Sequence, residues 1–252
     1  HTGSLVPGQA GKLKGKLMFG ASQLWGKVGR AFLRAISQRQ YERPISVRDQ
    51  SDKHSHDHLS PALEFAVDQW INLISKGPPR EIDDTEPGPA DVVIFTDGFT
   101  PAHRKEEAGP SRVGGVIFDR SKIDPVQFTS EVFDHIIEKW IPRKTQIVMI
   151  ELVAAILALT GFGSQLKDKF VLLLIDSEAV EGALVKGYSG TEDVCELVGL
   201  FWDLAAAIKC QIYIDRVPTD ANPADYPSRN DLVGGREAGW KTAEISWPDE
   251  LV

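Results

Sequence analysis

The spacing of apolar and polar positions along this 252-residue chain changes near residue 91. Before that point, apolar residues recur at roughly helical intervals, first over residues 11–40 and again after Ser60-Pro61. A serine before a proline is typical of a helix N-cap and first helical residue, and Gly77-Pro78-Pro79 is a stop signal. After residue 91, apolar runs of strand length alternate with helical patterns. The sequence therefore predicts a helical N-terminal segment followed by an α/β domain.

The segment after residue 91 predicts five strands and three helices. Their order is β-β-β-α-β-α-α-β, which favours antiparallel hairpins followed by parallel crossovers. We predict a mixed sheet of three antiparallel and two further parallel strands, with helices on both faces. The predicted strands are 92–96, 112–118, 126–133, 170–175 and 211–217, and the predicted helices are 146–160, 177–186 and 191–207.

Composition shifts suggest four parts along the chain. Residues 1–82 form a basic helical extension, and the acidic, turn-rich residues 83–90 form a linker. Residues 91–232 form the α/β domain, and 233–252 a C-terminal tail.

The net charge of −8 is distributed unevenly. Residues 1–50 hold nine Lys or Arg against two Asp or Glu, so this segment is basic and the remainder is strongly acidic. A basic arm on an acidic body can bind nucleic acid through the arm while the body carries metal ligands. A solvated basic helix explains the same pattern equally well.

Cysteine content and hydropathy bound the compartment. The two cysteines, Cys195 and Cys210, sit among apolar residues and provide no disulfide framework, which favours a reducing compartment. We find no secretory signal and no apolar run that approaches the roughly 20 residues of a membrane span. We therefore expect an intracellular protein of the cytoplasm or nucleus, not secreted and with no membrane partner. Because the chain begins with His1, we expect a fragment, a processed product or a tagged chain.

Three carboxylates occupy positions where an unpaired charge is expensive. Asp97 and Asp176 each end an apolar, strand-like run, and Glu151 stands at the front of an apolar helix. Neighbouring strands lie about 4.8 Å apart, so carboxylates at matching strand ends can share a divalent cation. An all-oxygen cluster favours Mg²⁺ over Zn²⁺. A fourth acid follows the last strand, and the sequence leaves Asp220 and Asp225 as alternatives for it.

Four short motifs carry a family resemblance. Phe-Thr-Asp97-Gly, Glu151-Leu-Val-Ala-Ala, Ile-Asp176-Ser and Asn222-Pro-Ala-Asp225-Tyr-Pro-Ser-Arg229 resemble the four acidic motifs of ribonuclease H. The likeness is closest to the domains that follow reverse transcriptases in retrotransposons, and it covers roughly residues 90–230. Residues 10–36 also resemble the segment that connects polymerase to ribonuclease H in such polyproteins. The resemblance implies a ribonuclease H-like fold.

The resemblance also implies an activity. It implies an endonuclease that cuts the RNA strand of RNA/DNA hybrids with two Mg²⁺ ions, for which Mn²⁺ can substitute, and that is joined to a polymerase portion. Carried over by motif, Asp97 bridges both metals, Glu151 and Asp176 complete one site, and Asp225 holds the other metal. Many family members carry a histidine in the loop before the last acid, whereas Thr219-Asp220-Ala221-Asn222 has none. This departure motivates the alternative of a catalytically inactive fold that serves as a protein- or nucleic-acid-interaction module.

Cations near these motifs are candidates for nucleic-acid contact. Trp140, which precedes Arg143 and Lys144, is either a platform for base stacking or a residue at the rim of the core. The candidate cations are Arg104, Lys105, Arg112, Arg143 and Lys144.

Overall fold

The computed structural model describes residues 4–42, 59–82, 88–101 and 109–251. The N-terminal segment contains three helices, α1 (Pro7–Ala21), α2 (Leu33–Tyr41) and α3 (Pro61–Lys76). Ser60 is the N-cap of α3, as predicted, and its hydroxyl accepts a hydrogen bond from the Leu63 N–H at 3.3 Å. The remaining elements are β1 (Val92–Phe99), β2 (Arg112–Asp119), β3 (Val126–Glu131), α4 (Asp134–Ile137), α5 (Ile147–Leu166), β4 (Phe170–Ile175), α6 (Glu178–Lys186), α7 (Glu192–Ile208), β5 (Gln211–Arg216), a 3₁₀ turn (Thr219–Ala221), α8 (Asp225–Ser228), α9 (Val233–Glu237) and β6 (Lys241–Thr242).

The strands form one mixed sheet in the order β5-β4-β1-β2-β3-β6. β1, β2 and β3 are antiparallel neighbours, and β4 pairs in parallel with both β1 and β5. The predicted five strands and their directions are confirmed. A sixth, β6, lies parallel to the edge strand β3. β6 lies in residues that were predicted to form a C-terminal tail. A strand of two residues is too short to show an alternating apolar pattern, so the sequence did not predict it.

Three boundaries differ from the prediction by two residues or more. β1 continues past residue 96 to Phe99 and contains Asp97, because it pairs with β2 as far as Arg112. β3 ends at Glu131 rather than at residue 133, because α4 starts at Asp134 with Phe133 as its N-cap. α5 continues to Leu166 although Gly161 and Gly163 lower its helix propensity. Phe162 and Leu166 are buried in the core, so tertiary packing outweighs the two glycines.

The helix α5 is the centre of the core. It packs on β1, β2 and α7, and most of its side chains are fully buried. A stretch of 18 residues within this helix has a mean hydropathy of 2.1, so α5 is long and apolar enough to cross a membrane, and the expectation of no such run is wrong. In this fold, 61% of that stretch is buried inside the protein, as in the core helix of an α/β domain.

Helices cover both faces of the sheet. Residues of β1 and β2 that face α5, such as Ile94 and Ile117, belong to the main core. The alternate residues of β2 face α8, where Gly114 lies against the backbone of Pro227 and Ser228. Because its side chains alternate, β2 contacts α5 on one face of the sheet and α8 on the other, as expected of an α/β fold.

The N-terminal segment packs directly on the α/β body. α1, α2 and α3 share a small core of their own, while Trp25 and Val28 are buried in the main core. The Trp25 indole N–H donates to the Cys210 carbonyl at 3.4 Å, and the Cys195 thiol donates to the Ala31 carbonyl at 3.3 Å. Both cysteines are buried free thiols. The four-part division of the chain stays a prediction, and residues 83–87 of the linker lie outside the described residues.

Candidate active site

Two of the predicted acids lie at the same edge of the sheet. Asp97 is in β1, and Asp176 directly follows β4. Because β1 and β4 are parallel neighbours with Phe95 opposite Leu174, their carboxyl ends meet. The register therefore places Asp97 and Asp176 at one end of two adjacent strands, where ligands of α/β sheets bind.

Glu151 reaches this edge because α5 lies very close to β1. A Cβ on Gly98 would lie 2.8 Å from the Glu151 backbone nitrogen and 3.0 Å from its Cγ. Any side chain at position 98 would push the first turns of α5 away from β1. The glycine that follows Asp97 in the motif thus sets the distance between the strand acid and the helix acid.

Asp97 accepts a hydrogen bond from α8, which lies on the face of the sheet opposite to α5. The Ser228 hydroxyl donates to the Asp97 carboxylate at 2.5 Å, and Ser228 itself is completely buried. Gly114 stands opposite Asp97 in the β1–β2 register, and a Cβ there would lie 2.2 Å from the Ser228 backbone nitrogen. Gly114 therefore makes room for α8, which carries Ser228 to Asp97.

The segment that carries the fourth acid is attached to β1 by Asn222. The Asn222 amide donates to the Thr96 carbonyl and its oxygen accepts from the Ala224 N–H, both at 3.1 Å. Asn222 is 3% exposed, so these bonds are shielded from water. They position the start of α8, and hence Asp225, beside the end of β1.

Asp225 is half-buried and paired with Arg229. The Arg229 Nε and Nη2 groups donate to one oxygen of Asp225 at 3.0 and 2.8 Å. The same guanidinium lies over the Phe99 ring, 4.8 Å from its centroid. Asp225 is also close enough to Asp97 to raise the pKa of that carboxyl. Asp220 is exposed in the 3₁₀ turn, so the geometry favours Asp225 as the fourth member.

Burial disfavours ionisation of the two innermost acids. The pKa of Asp97 is raised to about 6, mainly by burial and further by Asp176 and Asp225, although the Ser228 hydrogen bond opposes the rise. The pKa of Glu151 is raised to about 7, mainly by burial and further by Asp176 and Asp97, against a hydrogen bond from Ser177. The charge of Asp176 thus raises the pKa of both Asp97 and Glu151, as expected of acids that lie close together.

The donor chemistry fits a hard divalent cation. One carboxylate oxygen of Glu151 is buried and has no hydrogen-bond partner. A buried oxygen without a partner is rare and is explained by an absent proton donor or ion. No three or more His, Cys, Asp or Glu side chains of the described residues lie close enough together to hold a metal ion as they stand. Binding of an ion by three of these acids would therefore require the carboxylates to move closer together.

The cations predicted to contact nucleic acid lie in different environments. Arg143 forms a two-pronged ion pair with buried Asp193, with distances of 2.5 and 2.8 Å, and thereby fastens the loop before α5 to α7. Arg112 faces Glu131 across β2 and β3 at 3.5 Å, and Lys144 is exposed. Arg104 and Lys105 lie outside the described residues. Trp140 is 8% exposed and belongs to the main core, which favours its interpretation as a core residue.

The fourth acidic motif contains three further residues whose contacts are visible only in the structure. Asn222, Ser228 and Arg229 stand in the fourth motif, and each bonds to β1 or to an acid of the site. Their spacing relative to Asp225 was visible in the sequence. The partners of Asn222 and Ser228 were not, because Thr96 and Asp97 are more than 120 residues away.

Comparison with known proteins gives structural likeness alone. No known protein family and no curated protein matches the chain. Among solved structures, ribonuclease H1 from the archaeon Halobacterium salinarum is 21% identical, with a TM-score of 0.42 over 56% of this chain and 96% of that one. LC11 ribonuclease H1 in complex with an RNA/DNA hybrid is 19% identical, with a TM-score of 0.40 over 57% of this chain and 99% of that one. The prototype foamy virus protease–reverse transcriptase is 10% identical, with a TM-score of 0.38 over 71% of this chain and 27% of that one.

The strand order and directions define the fold as ribonuclease H-like. Three antiparallel strands are followed by two parallel ones, with α5 and α7 on one face and the helix of the fourth acid on the other. This is the fold that the acidic motifs predicted.

Proposed function

We propose that this chain is a metal-dependent endoribonuclease that hydrolyses the RNA strand of RNA/DNA hybrids. The observation that carries the proposal is the convergence of Asp97, Glu151 and Asp176 at one sheet edge, with a buried Glu151 oxygen that has no protein partner. A structural carboxylate would be paired with a cation or with N–H donors, as Asp193 is with Arg143. Carboxylates without such partners are what a site for a divalent cation requires.

Asp97, Glu151, Asp176 and Asp225 would hold two Mg²⁺ ions, with Mn²⁺ as a substitute. Such a pair of ions activates a water molecule and stabilises the leaving oxygen of a phosphodiester. The side chains of this chain prepare the site. Ser228 fixes the orientation of Asp97, and Asn222 holds the fourth segment against β1. Arg229 is ion-paired with Asp225, and a bound ion would replace Arg229 as the partner of that carboxylate.

The substrate and context follow from the motifs. A ribonuclease H-type site distinguishes RNA from DNA through the 2′-hydroxyl group. The retrotransposon-like form of the fourth motif supports a place in a reverse-transcriptase polyprotein, beside a polymerase portion and inside the cell.

A substrate comparison tests the proposal. A hybrid with labelled RNA, an RNA duplex and a DNA duplex of one sequence are incubated with the full chain in Mg²⁺ or Mn²⁺. We expect cleavage of the RNA strand in the hybrid alone. An intact hybrid in both metals at high protein concentration contradicts the proposal.

A second candidate is a catalytically inactive ribonuclease H fold that acts as an interaction module. Two observations favour it: the ion pair between Asp225 and Arg229, and the absence from the described residues of three acids close enough to hold an ion. Calorimetric titration with Mg²⁺ separates the two candidates. Binding that Asp176→Asn removes supports the nuclease, and the absence of any binding by the unaltered chain supports the module.

A further inference from the structure

A basic pocket lies between the N-terminal segment and the α/β body, apart from the carboxylates. Its volume is about 330 Å³. It opens beside the first residues of β5, at the end of the sheet opposite to the carboxylates. Three cations, Lys27, Arg30 and Arg80, line it together with Ser22, Trp25 and Gln211.

The three cations of this pocket have no acidic partner among the residues that the structure describes. Glu81 also lines the pocket but forms no ion pair with any of them. Burial lowers the pKa of Lys27, and the charges of Arg30 and Arg80 lower it further. In addition, the Nε group of Arg30 is buried and has no hydrogen-bond partner. An unpaired guanidinium donor beside two other cations calls for an anion.

The backbone around the pocket is fixed before any ligand arrives. Gly187 ends α6 with a φ of 79°, and a Cβ there would lie 2.6 Å from the Cβ of Lys27. Arg30 donates through Nη1 to the Lys186 carbonyl at 3.3 Å, which leaves its other nitrogen atoms available. Trp25 is buried, and its indole N–H donates a hydrogen bond to the Cys210 carbonyl. The cations therefore stand on a rigid base, which reduces the entropy lost when a ligand binds.

A second pocket continues the positive surface. It has a volume of about 380 Å³, shares Arg30 with the first and adds Lys14 and Arg34. Arg34 donates to the Gly190 carbonyl at 3.2 Å and pairs with Glu192 at 3.5 Å, so its charge is partly used. Tyr188, which is 47% exposed, lines the same pocket. The two pockets share Arg30, and further cations line each of them.

We propose that the Lys27–Arg30–Arg80 pocket binds a backbone phosphate of the nucleic acid, outside the carboxylate site. Phosphodiester oxygens match the donors of two guanidinium groups and one ammonium group, and the further cations of the second pocket match further phosphates of the same chain. The proposal rests on the proposed function only in taking an RNA/DNA hybrid as the ligand.

The helix α6 relates the pocket to the carboxylates. It begins two residues after Asp176 and ends at Lys186, whose carbonyl accepts the hydrogen bond from Arg30. Nine helical residues span about 14 Å at 1.5 Å each. A duplex covers that length in about four base steps of roughly 3.4 Å. The two ends of α6 are therefore separated by a length that a short stretch of hybrid can cover.

Binding in the absence of divalent ions tests this inference. The anisotropy of a labelled 20-base-pair hybrid is measured with the full chain in EDTA, so that cleavage plays no part. Lys27→Gln/Arg80→Gln is compared with Lys12→Gln/Lys16→Gln, which removes the same charge from exposed positions of α1. We expect the pocket variant to bind at least tenfold more weakly at 100 mM salt. We also expect its plot of log K against log salt to be shallower by roughly 1–2, with the control within twofold of the unaltered chain.

Three results would overturn the inference. They are equal affinities of the two double variants, an unchanged salt slope, and no binding of the hybrid by the unaltered chain in EDTA. Thermal melting checks that the variants fold. If the double variant does not fold, Arg80→Gln alone replaces it, because Arg80 is exposed and its backbone bond to Gln23 remains. Binding that depends on the pocket without any cleavage would reject the nuclease and keep this inference, and cleavage with pocket-independent binding would do the reverse.

Discussion

Burial of the ionised Asp97 carboxylate lowers the stability of the folded protein. Asp97 is 7% exposed, lies near two other acids and accepts hydrogen bonds from the Ser228 hydroxyl and the Gly98 backbone. Its folded pKa of about 6 exceeds the ordinary value of 3.8, so the folded state binds its proton more tightly than the unfolded state does. Stability is therefore lost as the pH rises from about 4 to 6, and the loss is complete above that window.

Asp97→Asn should therefore stabilise the metal-free protein at high pH. A shift of about two pKa units corresponds to at most about 3 kcal/mol, and we expect the free energy of unfolding at pH 8 to rise by about 1–3 kcal/mol. The difference should vanish near pH 4. Urea unfolding in EDTA at both pH values measures it.

The matched control for that substitution is Asp220→Asn. Asp220 is exposed, so its replacement should change the free energy of unfolding by less than about 0.5 kcal/mol. An Asp97→Asn protein that is less stable than the unaltered chain at pH 8 would show that the carboxylate is structurally paired, contrary to this account.

At the scale of elements, the sequence predicted what depends on local periodicity. The five main strands, the Ser60 cap and the acids at strand ends follow from alternation, caps and apolar runs. The last turns of α5, beyond Gly161, depend on burial of Phe162 and Leu166, and β6 depends on pairing with β3. The Asp97–Ser228 bond depends on how α8 docks. These features need tertiary contacts, which a period in the sequence does not encode.

The docking of α8 gives a prediction for Gly114. Gly114→Ala places a Cβ 2.2 Å from the Ser228 nitrogen, so α8 must shift and Ser228 must leave Asp97. We expect a loss of about 1–3 kcal/mol in the free energy of unfolding, as for overpacked cores, together with a fall in hybrid cleavage. Urea unfolding and the cleavage assay measure the two effects.

Gly182→Ala provides the comparison for Gly114. Gly182 is inside α6 with no atom near its missing Cβ, so alanine should stabilise the helix by up to about 1 kcal/mol. Equal effects of the two substitutions would mean that α8 does not rest on Gly114.

At the scale of the whole molecule, the N-terminal segment and the α/β body share one core. Trp25 is 8% exposed and belongs to the main core, whereas Phe19 of the same segment is 71% exposed. We expect Trp25→Ala to lower the free energy of unfolding by about 3–5 kcal/mol. Phe19→Ala should change it by no more than about 0.5 kcal/mol.

Far-UV circular dichroism and tryptophan fluorescence during urea unfolding measure both variants. A single transition with coincident probes is expected for the unaltered chain, because the two parts unfold together. An unchanged stability of Trp25→Ala would mean that the segment contributes little to the body.

The central claim is that Asp97 and its neighbours form a metal-dependent catalytic site for RNA/DNA hybrids. The most direct test is the single-turnover rate of RNA-strand cleavage in Mg²⁺ for the unaltered chain, Asp97→Asn and Asp220→Asn. We expect a loss of at least about a thousandfold for Asp97→Asn, equivalent to about 4 kcal/mol of transition-state stabilisation, and a change within twofold for Asp220→Asn. Equal rates for the unaltered chain and Asp97→Asn, or no cleavage by the unaltered chain, would contradict this claim.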